Sequence, residues 1–593
     1  MTDVAFETAD PRAVRRATLI RLATGLVQGL LLYGLYQADK SKVWPATQRE
    51  LYAALLMAVL FAPFVVLAGV SALRWRTLAI WKGVAALVAA GLGAYGVWSG
   101  DPAARGVDGL GPQTFLAVAA LVFIGHHLVQ PADLERRRIA RYETYFDVTW
   151  KHGVQGALSL GFTGAFWLLL FLAAALFKLI GVDAIDRLIK HEAFAFPATG
   201  LMFAAAVQLT DVRANLVRGV RTVALTLLAW LLPLMALIAG AFLLTLPFTG
   251  LEPLWKTRSA TAILLTADAF LILLTNAAYQ DGTEKTAGVL KWAARLAGLL
   301  LVPITVLAAY GLSLRIGQYG LSPDRIIAGA CVLVAAGYAI GYAVAAVRPG
   351  AWMRTLEPAN IAMAFVVIAV LLALCTPVAD PRRLSMNDQV ARLEKGQVKA
   401  EAFDFRFLRF DAGRYGQKAF EQLKGSDRAD IREGARNAAL LKNGYDGIVA
   451  PASAAAKPAL SKILVSPKGQ VLPPDFVAQF GAPDADRPFC GQEDAPCRAQ
   501  VRDLDKDGAP EVLIEAGEGI AVYKRGGGQW KRYGFFRLTE CYPANAHPAG
   551  DMTRFMTGDL ELIEPEVPDI RFGGERYRIT PEQQRCAESD TPR

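Results

Sequence analysis

The chain has 593 residues, 53% of them hydrophobic, and a formal net charge of +9. That apolar content does not fit an ordinary soluble protein of this length, and runs of about 20 apolar residues can cross roughly 30 Å of hydrocarbon. The basic excess sits mostly at the ends of such runs, where it sets orientation in a membrane, so it is not a nucleic-acid signature.

By length, about 11 runs qualify as spans. They cover residues 18–36, 51–73, 78–98, 114–129, 154–180, 193–209, 222–246, 260–279, 296–314, 326–347 and 360–377. The fourth and sixth are short enough to be tilted or partly re-entrant. Arg12, Arg15 and Arg16 precede the first run, which has no small-residue cleavage site after it, so it is expected to be retained. A cytoplasmic N-terminus puts Arg74, Arg76, Arg136 to Arg138, Arg141, Lys151, Arg213, Arg218, Arg221, Lys285, Lys291, Arg348 and Arg354 on the inner side. That is the direction of the positive-inside rule. An odd number of spans then places everything from Asp380 onward outside the cytoplasm.

Charge at membrane depth costs about 3 kcal/mol or more, so each instance needs a reason. Asp268 lies mid-span with Asn276 two turns on. It is read either as a proton or cation carrier or as a carboxylate satisfied by a neighbouring span. Arg21, Lys82, Lys178 and Arg295 lie near span ends and are expected to snorkel. The adjacent His126 and His127 point about 100° apart on a helix, lack metal-pair spacing, and are read as interfacial. The inward segment 131–152 mixes arginines with Tyr142, Tyr145, Phe146 and Trp150 and is read either as an interfacial helix that holds anionic lipid headgroups or, preferred because the positive-inside rule already accounts for its arginines, as a basic loop with aromatic interface anchors. No Walker loop, H-E-x-x-H or G-x-S-x-G spacing is present.

The predicted organisation is a polytopic α-helical membrane bundle over 1–379, a helical extracytoplasmic segment over 380–449 and a β-rich region over 450–593, a small α+β domain in all. Residues 384–395, 414–423 and 427–441 have helix-like patterning. Residues 403–410 alternate in a way that also suits a strand. Strands are expected at 461–465, 511–515, 520–524, 530–536 and 575–579. Cys331 and Cys375 fall in spans, whereas Cys490, Cys497, Cys541 and Cys586 fall in the water-exposed half. An even set in an extracytoplasmic domain suggests disulfides, with Cys490 and Cys497 near enough to close a small loop. A zinc site ranks below this, since no C-x-x-C spacing is present.

Within the β-rich region, Asp503, Asp505, Asp507 and Glu511 are spaced so that a curled loop brings their carboxylates together, with Gly508 permitting the turn. Oxygen ligands at this density suit a structural Ca²⁺. The stretch resembles the calcium loops of FG-GAP-type β repeats, in which these four positions match carboxylate ligands. Only one repeat is covered, whereas a propeller needs several blades.

Residues 315–325, Arg-Ile-Gly-Gln-Tyr-Gly-Leu-Ser-Pro-Asp-Arg, resemble a signature of a bacterial inner-membrane family known as domain of unknown function 4153. The segments 380–385, 392–396, 403–410 and Gly413-Arg-Tyr-Gly416 are similar to that family's C-terminal flank, and 142–150 also fits. The resemblance, over roughly 132–425, implies a polytopic bacterial inner-membrane protein and no established reaction; the periplasmic placement of the C-terminal domain rests on the span count and the cysteines. In this loop Arg315, Tyr319 and Arg325 are read either as lining a headgroup-level pocket or as capping and anchoring a helix pair. Two functions are weighed. One is a protein contacting the lipid bilayer that binds or organises an envelope component, a protein or a lipid, at the periplasmic face. The other is a transporter or lipid-handling enzyme working through the bundle and Asp268.

Overall fold

A computed structural model describes residues 11–102, 110–212, 214–257, 259–282, 286–349, 352–439, 441, 463–466, 469–480, 498–516, 519–536, 570–572 and 575–577. Residues up to Leu440 form one compact unit, and those from Leu441 a second.

The first unit is a helical bundle. Its long helices are α1 (Pro11–Lys40), α2 (Arg49–Gly69), α3 (Trp75–Ser99), α4 (Pro112–Glu135) and α5 (Tyr142–Leu179). After the short α6 (Ala184–Lys190) come α7 (Glu192–Val212) and α8 (Ala214–Thr249), and after the short α9 (Glu252–Lys256) come α10 (Ala260–Tyr279), α11 (Gly288–Tyr319), α12 (Pro323–Val347) and α13 (Leu356–Leu374). Among the described residues, 11 helices are long and apolar enough to cross a membrane. The two expected to be short, α4 and α7, have 24 and 21 residues. At 1.5 Å per residue they reach about 36 and 31 Å, enough to span without re-entry.

In hydrocarbon the helices gain nothing from hiding apolar surface from one another, so close packing and polar contacts hold them. One core joins α2, α3 and α4 through Ala53, Met57, Val65, Ala89, Leu92, Val118 and Leu121. A second joins α8, α10, α11 and α12 through Leu225, Leu232, Leu271, Ala294, Leu301, Ile304 and Tyr342. Between α1 and α7 the backbones touch. A Cβ on Gly29 would stand 2.6 Å from Pro197 Cα, and one on Gly25 would meet Gly200 and Ala204. This is small-xxx-small packing, and only glycine fits there.

Three further helices, α14 (Pro381–Glu394), α15 (Gly413–Lys424) and α16 (Ala429–Ala439), belong to the same unit. Asp380 caps α14, accepting from the Arg382 and Arg383 amides at 2.8 and 3.3 Å. The ambiguous stretch 403–410 is not a strand: it runs through a wide helical turn over Phe407–Asp411, with Phe403, Phe405 and Leu408 buried. Its alternating phenylalanines serve a crowded irregular turn rather than a sheet.

The second unit holds a five-stranded sheet in the order β1-β2-β3-β4-β5: β1 (Leu464–Ser466), β2 (Arg498–Arg502), β3 (Glu511–Ala516), β4 (Gly519–Gly526) and β5 (Gln529–Phe536). β1 and β2 run parallel, and the remaining pairs are antiparallel. The helix α17 (Pro474–Phe480) covers one face, with Phe476 edge-on to Tyr523 and Trp530 at 5.6 and 5.3 Å. A separate hairpin pairs β6 (Ile570–Phe572) with β7 (Glu575–Tyr577).

Candidate functional site

The N-terminal end of α1, the 70–75 turn, the start of α5, the end of α7 and the start of α8 enclose a cleft of about 870 Å³. Six cationic side chains line it, Arg12, Arg16, Arg21, Lys151, Arg218 and Arg221, against two carboxylates, Asp147 and Asp211. Arg21 does not snorkel: it is 1% exposed. Its guanidinium donates to Leu67 O at 2.9 Å, Gln208 Oε1 at 2.5 Å, Ser71 Oγ at 2.9 Å and Asp211 Oδ2 at 2.8 Å. Lys151 holds the other oxygen of Asp211 at 2.8 Å, and Arg221 pairs with Asp147 at 2.7 Å. Arg16 stacks on Trp75 at 4.6 Å. Carboxylates and backbone thus fix the floor.

A second group of polar side chains lies deeper in the bundle. His126 and His127 are buried, not interfacial, because α5 brings His152 against them. His127 Nε2 and His152 Nδ1 are 3.0 Å apart, and His127 Nδ1 faces Phe123 O at 2.6 Å. His126 is held by Trp81 Nε1 at 3.3 Å and Gln130 Oε1 at 2.7 Å. His152 and Gln155 line an apolar cavity of about 470 Å³.

Asn276 sits in a ring of four side chains from α5, α10, α12 and α13. Tyr142 donates to Asn276 Oδ1 at 3.3 Å, and Asn276 Nδ2 donates to Tyr342 Oη at 2.8 Å. Tyr342 donates to Asn360 Oδ1 at 2.9 Å, and Asn360 Nδ2 returns to Asn276 Oδ1 at 2.7 Å. Tyr142, Asn276 and Asn360 border a cavity of about 340 Å³ that also touches His127. Asp268 is not part of this ring, since two turns separate it from Asn276, about 12 Å along the helix. It is 1% exposed, accepts from Thr305 at 2.8 Å through Oδ2, and has no hydrogen-bond partner at Oδ1 among the described residues.

The structure sets Arg315, Tyr319 and Arg325 in a clamped turn. Arg315 donates to Trp255 O at 2.9 Å, and Arg325 to Gly320 O at 2.7 Å. Arg325 also stacks on Tyr319 at 5.5 Å. From α14, Asp388 accepts from Leu321 N at 2.7 Å, and Gln389 donates to the Tyr319 and Leu321 carbonyls at 2.9 and 2.8 Å. These arginines bind main chain, the geometry of the anchoring alternative. The Gly413–Gly416 run is a similar clamp. Gly413, at φ +58°, lies so close to Ser99 O that a Cβ would collide. Arg414 donates to Trp98 O at 2.9 Å, while Tyr95 bonds Tyr415 at 3.1 Å and Asp380 at 2.6 Å.

In the second unit Asp503, Asp505 and Asp507 lie in the turn between β2 and β3, and Glu511 opens β3. Carboxylate oxygens of Asp503, Asp505 and Glu511 come within 4.8 Å of one another, a spacing that could hold a metal ion. Asp503 accepts from the Asp507 and Gly508 amides at 3.1 and 2.9 Å. The Lys524 ammonium reaches into the group, bonded to Asp505 and lying 3.0 Å from Asp507 and 3.5 Å from Glu511. These carboxylates, Asp505 foremost, raise the lysine above its ordinary range. The Ala509 amide, then Lys524, holds Asp507 below the usual carboxylate range. Cys490, Cys497, Cys541 and Cys586 lie outside the described residues.

No sequence signal marks the His127–His152 contact or Arg21–Asp211, because their partners are 25 and 190 positions apart on different helices. In comparisons with known proteins, the family model described as "Domain of unknown function (DUF4153)" matches residues 51–419. No curated protein and no solved structure matches the chain.

Proposed function

We propose that this chain, which belongs to the DUF4153 family, is a bacterial inner-membrane protein that binds an anionic, lipid-type envelope component between its helices. The observation that carries this is the cleft with six cations against two carboxylates, one of the cations buried at its floor. Basic pockets between spans on the cytoplasmic side suit anionic headgroups. The orientation rests on the positive-inside rule: Arg12, Arg16, Arg74, Arg218 and Arg221 share the end taken as cytoplasmic. The α14–α16 helices clamp the opposite end, at Trp98 and Leu321, which supports a periplasmic side for them and for the chain that follows. There Ca²⁺ would be structural, held by Asp503, Asp505, Asp507 and Glu511, and Cys490, Cys497, Cys541 and Cys586 would meet oxidising conditions.

Binding is tested by titrating phosphatidylglycerol and phosphatidylcholine into the detergent-solubilised full chain. Each cation near an anionic surface contributes about 1 kcal/mol, so Arg16→Gln with Arg218→Gln should weaken phosphatidylglycerol about 30-fold. Phosphatidylcholine should be unaffected. Equal binding of the two lipids by the wild type would overturn the proposal. The second reading, a transporter or lipid-handling enzyme, is favoured by one observation, the unpartnered Oδ1 of Asp268 at membrane depth. Loss of function in a folded Asp268→Asn variant would select it.

A further inference from the structure

We infer that the cavity beside His152 binds a neutral, membrane-dissolved molecule that carries a hydroxyl group on an apolar body, of the isoprenoid alcohol or quinol kind. This does not rest on the anionic cleft, which Lys151 lines rather than His152.

Proton placement on the imidazoles decides what the cavity can bind. A carbonyl only accepts, so His127 Nδ1, facing Phe123 O, carries the hydrogen. In the neutral ring its Nε2 is then a lone pair, which His152 must meet with its own Nδ1–H. That leaves His152 Nε2 as an acceptor, and it has no hydrogen-bond partner among the described residues. Gln155 stands three positions on, on the same helix. Its Nε2 donates to Val207 O at 2.9 Å, which leaves its carbonyl oxygen as a second acceptor among the lining groups.

His126 adds no free nitrogen. Trp81 donates to its Nδ1, so its Nε2–H goes to Gln130. The three imidazoles therefore do not offer converging lone pairs to a metal, and among the described residues only the acidic loop has metal-holding spacing. The open imidazole nitrogen, His152 Nε2, only accepts, so the ligand meets it with a donor.

The rest of the lining sets the body of that ligand. Phe61, Phe64, Phe123 and Phe203 contribute rings, and no carboxylate, lysine or arginine lines the cavity. A charged headgroup would find no counter-ion there. At about 470 Å³ the space lies in the ~300–1,000 Å³ range of small-molecule sites. Its rim residues Phe64, Phe123 and Leu160 are exposed on the apolar flank of spanning helices, so entry is from the bilayer.

The test is equilibrium binding to the detergent-solubilised full chain of a short-chain benzoquinol and of a fifteen-carbon isoprenoid alcohol, each against its own methyl ether. One donated hydrogen bond predicts about tenfold tighter binding of the hydroxyl form. His152→Phe should abolish that difference, and His152→Gln, which keeps an acceptor, should restore part of it. Gly156 lines the cavity, and a Cβ there meets nothing within 4 Å. Gly156→Leu therefore removes a helix-interior glycine, keeps the fold and fills the site, and should block both probes. Discrimination for the quinol alone or the alcohol alone assigns the source. Ether and hydroxyl forms binding equally, neither probe binding, or discrimination persisting in His152→Phe would each overturn the inference.

Discussion

Arg21→Met is the most informative perturbation of the bundle. The guanidinium is fully enclosed and ties α1 to α2, to the turn after it and to α7 through four acceptors. Methionine fills similar volume but leaves Gln208 Oε1 and Leu67 O without that donor, and leaves Asp211 with Lys151 as its remaining ion-pair partner. Removing one partner of a buried ion pair typically costs about 3–5 kcal/mol. Lys151 still compensates Asp211, which places the expected loss near ~3 kcal/mol. Arg21→Lys should not restore it, because one ammonium cannot reproduce a planar fork serving four acceptors. Asp211→Asn added to Arg21→Met should cost less than the sum of the two single changes, since both remove the same ion pair. The assay is equilibrium unfolding in mixed micelles, read as a double-mutant cycle. If Arg21→Met stayed within about 0.5 kcal/mol of wild type, as an ordinary surface substitution does, Arg21 would be snorkelling and the cleft floor would not be built as described.

Other consequences follow from the same contacts. Gly413→Val places a β-branched residue at positive φ against Ser99 O, at a cost of at least about 1–2 kcal/mol. Limited proteolysis should then cut within 381–439 while the spans stay intact, and an unchanged digestion pattern would refute the clamp. Tyr342→Phe removes the hydroxyl shared by Asn276 and Asn360 and should cost about 1 kcal/mol in the same unfolding assay. Lys524→Met removes the ammonium that competes for Asp505, Asp507 and Glu511, so calcium-45 binding should tighten, and no change would count against the loop as the calcium site. Without calcium, pH has two signs at this loop. Lys524, raised, contributes stability that is full below its unfolded value of about 10.4 and lost as pH rises through the folded one. Asp507, lowered, contributes above about 3.9 and loses its contribution as pH falls through its folded value. Thermal unfolding of the β unit should thus be most resistant near neutral pH, and a midpoint still climbing above pH 10.5 would contradict the lysine's role.

What was legible in the sequence follows the range of each interaction. Spans could be read because apolar length is a local property, and the 11 helices match the runs in order. Strands β3, β4 and β5 were visible in their own alternation, whereas β2 was not, because Arg498–Arg502 is short and largely polar. The 403–410 stretch stays ambiguous in sequence because Phe-x-Phe spacing looks the same in a strand and in an irregular helical turn whose rings pack together, as Phe403 and Phe405 do at 4.8 Å. Long-range polar pairs left no trace. Arg21 reads as a snorkelling arginine until Asp211 is placed beside it, and His126–His127 read as interfacial until His152 closes on them. Asn276 was singled out for its depth, but its three ring partners are an asparagine and two tyrosines, which carry no spacing signal. The Gly413–Gly416 resemblance was visible as a motif, and the structure supplies its physical reason, one helix pressed onto the end of another.

The basic cleft is proposed to hold an anionic, lipid-type component. Native mass spectrometry of the full chain, gently extracted from its own membrane, tests it most directly when wild type and the Arg16→Gln, Arg218→Gln variant are compared. An anionic lipid or lipid-linked molecule should be retained by the wild type and lost from the folded variant. A wild-type chain that carries only zwitterionic lipid, or a variant that keeps the same anionic molecule, would contradict it.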